Sequence, residues 1–198
     1  MLLLVGLGNP GQKYDSTRHN VGFDIIDRVA RQLATGEPAT SKFDSLVIET
    51  RINDEKVVLI KPQTYMNRSG QSVNQAMTFY KANPETDLLV IVDDIHLTCG
   101  TLRMRATGSS GGPNGLQDIT NHIGNEKWSR LRVGVDEPGQ IPQADYVLGK
   151  FTPQQKELVE PALGSAANAV NIWIEHGVTD AMNICNENGN SDIARNLS

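Results

Sequence analysis

The sequence predicts an α/β fold: a single twisted mixed sheet with parallel central strands and helices on both faces. Three observations predict it. Two short runs, "LLLVG" at residues 2–6 and "DLLVIVDD" at 87–94, are continuously apolar without alternation, the pattern of strands buried on both faces. Segments with helical spacing alternate with these strands along the chain, which is the signature of a layered α/β domain. Two further strands, "SLVIETRI" and "KVVLIKP", are joined across the turn Asn53-Asp54, and so tight a connection makes an antiparallel hairpin and a mixed sheet.

Each element has its own signal. After the first strand, Phe23, Ile26, Val29, Ala30 and Leu33 recur at helical spacing between Val21 and Leu33, which predicts a helix that begins near His19 or Asn20. "TGEPATSK" is a loop by composition, and the hairpin follows. Val73, Ala76, Met77 and Tyr80 share one face of a helix over Ser69–Tyr80. Beyond the second buried strand, "TLRMRA" alternates like a half-exposed strand, Leu116–Ile123 is a short helix and "RLRVGV" a further strand. A long helix spans Pro153–His176, with two breaker positions at Pro161 and Gly164, and a last one spans Val178–Cys185. With no repeat and no linker, residues 1–186 read as one domain and 187–198 as a polar, frayed tail.

Composition narrows the function classes. The chain has 198 residues, enough to bury a real core, and a net charge of −5, which argues against a general polyanion binder while leaving room for a local basic patch. Such a patch is visible: Arg103, Arg105, Lys127, Arg130 and Arg132 crowd the middle third, whereas the last third is acidic. No apolar run is long enough to cross a membrane, and "MLLLVG" lacks the basic flank and cleavage site of a signal peptide, so the cytoplasm is the expected compartment. Two distant cysteines, Cys99 and Cys185, and four scattered histidines supply neither a disulfide framework nor metal-ligand spacing, so no metal or cofactor is expected.

Two glycine motifs invite readings that their context weakens. Gly6, Gly8 and Gly11 match the dinucleotide fingerprint, but that motif needs a helix starting at the glycines. Here "QKYDSTRHN" intervenes without apolar periodicity, so the glycines are expected to shape a turn that shows Asn9 at the sheet's C-terminal edge. "GSSGG" at 108–112 matches a nucleophile elbow centred on Ser110, yet only His122 and His176 follow it, both within helices. The plainer reading is a loop whose N–H groups and following helix N-terminus hold a phosphate.

His19 stands at a loop-to-helix junction beside Tyr14, Thr17, Arg18 and Asn20, where a histidine otherwise serves as a cap or a surface residue. Asp93 and Asp94 end the most apolar strand; a carboxylate there is desolvated and needs a partner, either an arginine or an imidazole that it orients. "PQTYMNRSG", residues 62–70, places Tyr65, Met66 and Asn67 in a loop able to line a pocket.

Taken in order, "VGLGNPGQKYDSTRHNVG", "KPQTYMNRSGQSV", "VDDIHLTCGTLRMR", "GGPNGLQDI", "RLRVGV" and "DYVLGKF" resemble bacterial-type peptidyl-tRNA hydrolase over residues 2 to about 151. The resemblance implies that family's fold and hydrolysis of the ester joining a peptide to tRNA, with no cofactor and no metal. It implies His19 as the base that activates water and Asp93 as the carboxylate that orients it. Asn67 and Asn114 are similar to the amides that hold the substrate, one of which polarises the ester carbonyl, and Met66, next to Asn67, is expected among the substrate-binding residues. Asn9 is similar to the residue that reads the peptide backbone. Tyr14 and Tyr65 match positions that contact the tRNA 3′ end, and Arg103, Arg105 and Arg132 match basic groups for tRNA phosphates. The expected partner is the acceptor stem and 3′ end of peptidyl-tRNA, and the expected state is a monomer.

The chain departs from the family pattern in two places. Where the family carries "HGGHNG", this chain has Ser110-Gly111-Gly112-Pro113-Asn114-Gly115, and after "RLRVGV" the pair Asp136-Glu137 sets two acids near the expected tRNA path. The altered loop at residues 108–114 and the acidic pair favour one alternative, a non-enzymatic RNA-binding relative with reduced or lost activity. The G-x-S-x-G match leaves a second, an esterase working through Ser110.

Overall fold

The computed structural model describes residues 1–109 and 114–195, with side chains over 1–109 and 115–186. Strand β1 (Leu2–Gly6) lies inside the sheet, flanked in parallel by β4 (Glu55–Pro62) and β5 (Leu88–Asp94). Strand β7 (Ser129–Gly134) extends the parallel centre beyond β5. The margins are antiparallel: β3 (Ser45–Ile52) on β4, β2 (Thr40–Lys42) on β3, and β6 (Leu102–Arg105) on β7. Among the described residues the order is β2-β3-β4-β1-β5-β7-β6.

Alternation along the strands builds two cores. Leu4, Leu89, Ile91, Leu131 and Val133 face helices α1 (Val21–Leu33) and α6 (Pro153–His176). Leu3, Val5, Val90 and Val92 face α2 (Ser69–Tyr80) and α4 (Asn114–Ile123). The opening glycines belong to this packing. A Cβ on Gly6 would lie 2.2 Å from the Gly22 carbonyl oxygen, and one on Gly8 would lie 2.8 Å from the Phe23 ring. Of the three, Gly11 alone has a positive φ. The motif therefore lets α1 lie directly on β1, and the expected turn-forming role falls to Gly11.

Among the described residues, one strand and two α-helices lie outside the predicted set: β2, α3 (Pro84–Asp87) and α5 (Gln143–Leu148). Helix α6 passes its two breakers without interruption, because Pro161 and Gly164 both lie on its exposed side, where water can take the carbonyl that proline leaves unpaired. The last helix, α7 (Val178–Arg195), runs past Cys185 and packs along β6. There Asn186 closes the sheet edge: its Oδ1 accepts from Met104 N–H at 2.9 Å, and its Nδ2 donates to the Met104 carbonyl at 3.2 Å.

Candidate active site

Loops leaving the C-terminal ends of β1, β4 and β5 converge, as open parallel sheets dictate for ligand sites. Strand alternation sends the two acids at the end of β5 to opposite faces. Asp93 turns toward the α1 side, where Arg18–Asn20 forms a single 3-10 turn before that helix. His19 Nδ1 lies 2.8 Å from Asp93 Oδ1, with side-chain exposures of 16% and 4%. A carboxylate can only accept, so Nδ1 carries a proton, and in the neutral ring the lone pair falls on Nε2. Asp94 turns the other way. It accepts from the His96 N–H at 2.9 Å and from Arg132 Nη1 at 3.1 Å.

The pair opens into a cleft of about 740 Å³ that Asn9, Tyr65, Met66 and Asn67 also line. Asn9 is buried and fixed from three sides. Its N–H donates to Asn20 Oδ1 at 2.9 Å, its carbonyl accepts from Asn20 Nδ2 at 3.0 Å, and its Oδ1 accepts from the Met66 N–H at 3.0 Å. The last contact depends on Tyr65, which holds φ 62° and ψ 157°, a strained combination for a residue with a Cβ. That kink starts the 3-10 turn Met66–Arg68 and leaves Asn67 exposed toward the cleft. Tyr14 does not line the cleft; it meets Tyr65 edge-on, with ring centroids 6.4 Å apart. Asn114 begins α4, and its neighbour Gly115 packs closely on Met66 Sδ, but the Asn114 side chain and residues Ser110–Pro113 lie outside the described set.

The arginines divide into working classes. Register sets Arg103 opposite Arg132 and Arg105 opposite Arg130, so all four share one sheet face. Arg103 and Arg105 are exposed, and Arg132 is held by Asp94 and the Ser109 carbonyl at 2.9 Å. Arg130 is buried over the Trp128 ring, 3.7 Å from its centroid, and donates to the carbonyls of Gly108, Ser109, Glu126 and Trp128. Burial and the neighbouring Arg132 push its guanidinium down to about 10, so it remains charged at neutral pH.

Ile95, His96, Gln143, Ala144, Val147 and Leu148 also line the cleft, and none of them was among the expected site residues. The apolar spacing of Tyr146, Val147 and Phe151 after Pro142 was the available signal. Sequence reasoning also missed Asp118, whose Oδ2 accepts from the Gly70 N–H at 2.7 Å and pins the start of α2 to α4. The expectation for Asp136 needs correcting. Its carboxylate turns inward, accepting from the Cys99 N–H at 2.7 Å and from Gln155 Nε2 at 2.9 Å, and only Glu137 is exposed. Among the described residues, no group of three His, Cys, Asp or Glu is placed to hold a metal ion. No helix among them is long and apolar enough to cross a membrane.

This geometry accompanies a family match over residues 3–193 to the model described as peptidyl-tRNA hydrolase. The chain belongs to that family. A peptidyl-tRNA hydrolase from Rhodopirellula baltica is 51% identical over 184 residues, covering 92% of this chain and 96% of that one. One from Halalkalibacterium halodurans is 46% identical over 187 residues, covering 94% of this chain and the whole of the other. The crystal structure of peptidyl-tRNA hydrolase from Acinetobacter baumannii superposes with a TM-score of 0.86 at 36% identity, covering 94% of each chain.

Proposed function

We propose that this chain hydrolyses the ester between the C-terminal carboxyl of a peptide and the 3′-terminal ribose of tRNA, acting as a cytoplasmic monomer. The observation that carries the reading is the 2.8 Å contact between His19 Nδ1 and Asp93 Oδ1 at the wall of an open cleft, in a chain of this family. With Nδ1–H directed to Asp93, Nε2 accepts a proton from a water as that water attacks the ester carbonyl. The imidazolium that forms is stabilised by the carboxylate and gives the proton to the departing ribose oxygen as the acyl C–O bond breaks, so that it leaves as a hydroxyl. An ester asks for little more than a stabiliser of the developing oxyanion, and the amide N–H groups of Asn67 and Asn114 are assigned that task.

Asn9 supplies selectivity. Because its Oδ1 is engaged by the Met66 N–H, its Nδ2 is the half of the amide left for a peptide carbonyl. Free aminoacyl-tRNA offers a protonated amine there and no such acceptor. Tyr14 and Tyr65 are assigned to stacking at the 3′ end, and Arg103, Arg105 and Arg132 to phosphates. The test is release of amino acid from N-acetyl-aminoacyl-tRNA and from the same tRNA with a free amine. The reading expects cleavage of the first at a rate at least about a hundredfold above the second, since a site built for a hydrogen-bonding group rejects a partner that lacks it. Equal rates on both, or none on either, would overturn it.

A further inference from the structure

We propose that Arg18 is a positioning residue for His19, holding the imidazole against Asp93 through a buried polar frame. This rests on the role given to His19 above. Arg18 is 5% exposed, and its side-chain hydrogen bonds go to a backbone carbonyl and an amide oxygen, with no ion pair to a carboxylate among the described residues. Its guanidinium lies on the Tyr146 ring, 4.0 Å from the centroid, with Phe151 at 5.5 Å. Nη1 donates to the Tyr146 carbonyl at 3.1 Å, Nη2 to Gln155 Oε1 at 2.7 Å, and the backbone N–H to the Gly149 carbonyl at 3.1 Å. A Cβ on Gly149 would lie 3.0 Å from Nη1, so the chain there leaves room for the guanidinium.

Burying a cation whose direct partners are neutral is costly, and a residue with so little direct compensation needs a reason to be charged. The frame supplies one. Gln155 Nε2 donates onward to Asp136 Oδ2 at 2.9 Å and to the Tyr146 hydroxyl at 3.0 Å. Asp136 Oδ1 in turn accepts from the Cys99 N–H, in the loop that follows Asp93 and Asp94. The path therefore starts one residue before His19 and ends five residues after Asp94. It ties the strand end bearing the carboxylate to the turn bearing the imidazole, by a route independent of their own 2.8 Å contact. Arg18 provides what lysine cannot: a planar fork that stacks on Tyr146 while donating in two fixed directions. Asp136 is the net counter-charge, reached through one amide, which explains why it faces inward.

The test uses this chain with Arg18→Lys and Gln155→Leu, the second at a half-buried position in the first turn of α6 that does not line the cleft. Two readouts are taken at equal folded concentration. The first is the ¹⁵N chemical-shift pattern of the His19 ring without substrate, which reports whether the Nδ1–H tautomer is held. The second is kcat and KM on N-acetyl-aminoacyl-tRNA. Both variants are expected to move the ring toward a mixture of tautomers and to lower kcat on the order of tenfold to a hundredfold, with KM within about threefold. A folded Gln155→Leu protein with the parent's ring pattern and kcat would overturn the proposal, whatever Arg18→Lys does. So would a rise in KM at unchanged kcat, which would make Arg18 a substrate-binding group. If the parent itself cleaves nothing while the ring pattern still shifts in both variants, the frame stands and the hydrolase reading falls.

Discussion

Replacing Asp93 by asparagine changes charge and hydrogen-bond polarity while nearly preserving shape. The parent carboxylate lies 2.8 Å from His19 Nδ1 and is almost fully buried, so water screens the contact weakly. Two unit charges about 4 Å apart, centre to centre, attract by about 4 kcal/mol at an effective dielectric of 20. That attraction exists only once the imidazole takes its proton, so it is a transition-state term, and losing it lowers kcat by about a thousandfold. Asparagine can also present its N–H to Nδ1, which would put the ring proton on Nε2 and remove the base altogether. Initial rates on N-acetyl-aminoacyl-tRNA over a range of concentrations separate kcat from KM. The expected result is a kcat lower by about 10²–10⁴ with KM changed less than about threefold. A variant within about tenfold of the parent's kcat would refute the coupling of Asp93 to His19.

Other expectations follow from single residues. Burial, with Asp27 nearby, pushes the Asp24 carboxyl up to about 6. The native state therefore holds that proton more tightly than the unfolded chain, and stability falls as pH rises from about 4 through 6, then levels. Asp24→Asn is expected to match the parent near pH 4 and exceed it by about 2 kcal/mol at pH 7.5 in denaturant titrations; equal stability at both pH values would refute the assignment. Gly6→Ala drives a methyl into the Gly22 carbonyl and is expected to destabilise the fold by about 3 kcal/mol, measured as a fall in the urea midpoint. Ser110→Ala is expected to retain the parent's rate, and a fluorophosphonate probe to leave the protein unlabelled; inactivation by either would restore the serine esterase alternative.

Two elements with strong periodicity were legible from sequence to the residue. Helix Ser69–Tyr80 and strand Ser45–Ile52 end where the apolar pattern ends, because burial of one face fixes their limits. The helix expected from near His19 or Asn20 instead starts at Val21, after the 3-10 turn Arg18–Asn20. Strand Thr40–Lys42 was not legible, since an exposed edge strand of "TSK" has no buried face to impose alternation. The six-residue helix Gln143–Leu148 is too short for periodicity to register, and with it one wall of the cleft was lost. Adjacent acids at a strand end must part to opposite faces, so the sequence pattern already constrained Asp93 and Asp94. Which one would meet His19 depended on the face α1 covers. Arg130 shows the other limit: strand parity aligns it with Arg103, Arg105 and Arg132, but its bonds to the Gly108 and Ser109 carbonyls are tertiary. The inward turn of Asp136 is likewise invisible without Gln155 beside it.

The central claim is that the His19 imidazole removes the proton from the attacking water. The most direct measurement is the single-turnover rate of N-acetyl-aminoacyl-tRNA cleavage by the parent chain and by His19→Ala, at enzyme concentrations well above KM and with both proteins folded. The account predicts a rate lower by at least about a thousandfold in the variant, at the upper end of what general-base catalysis contributes. A His19→Ala protein that cleaves within about tenfold of the parent would contradict it.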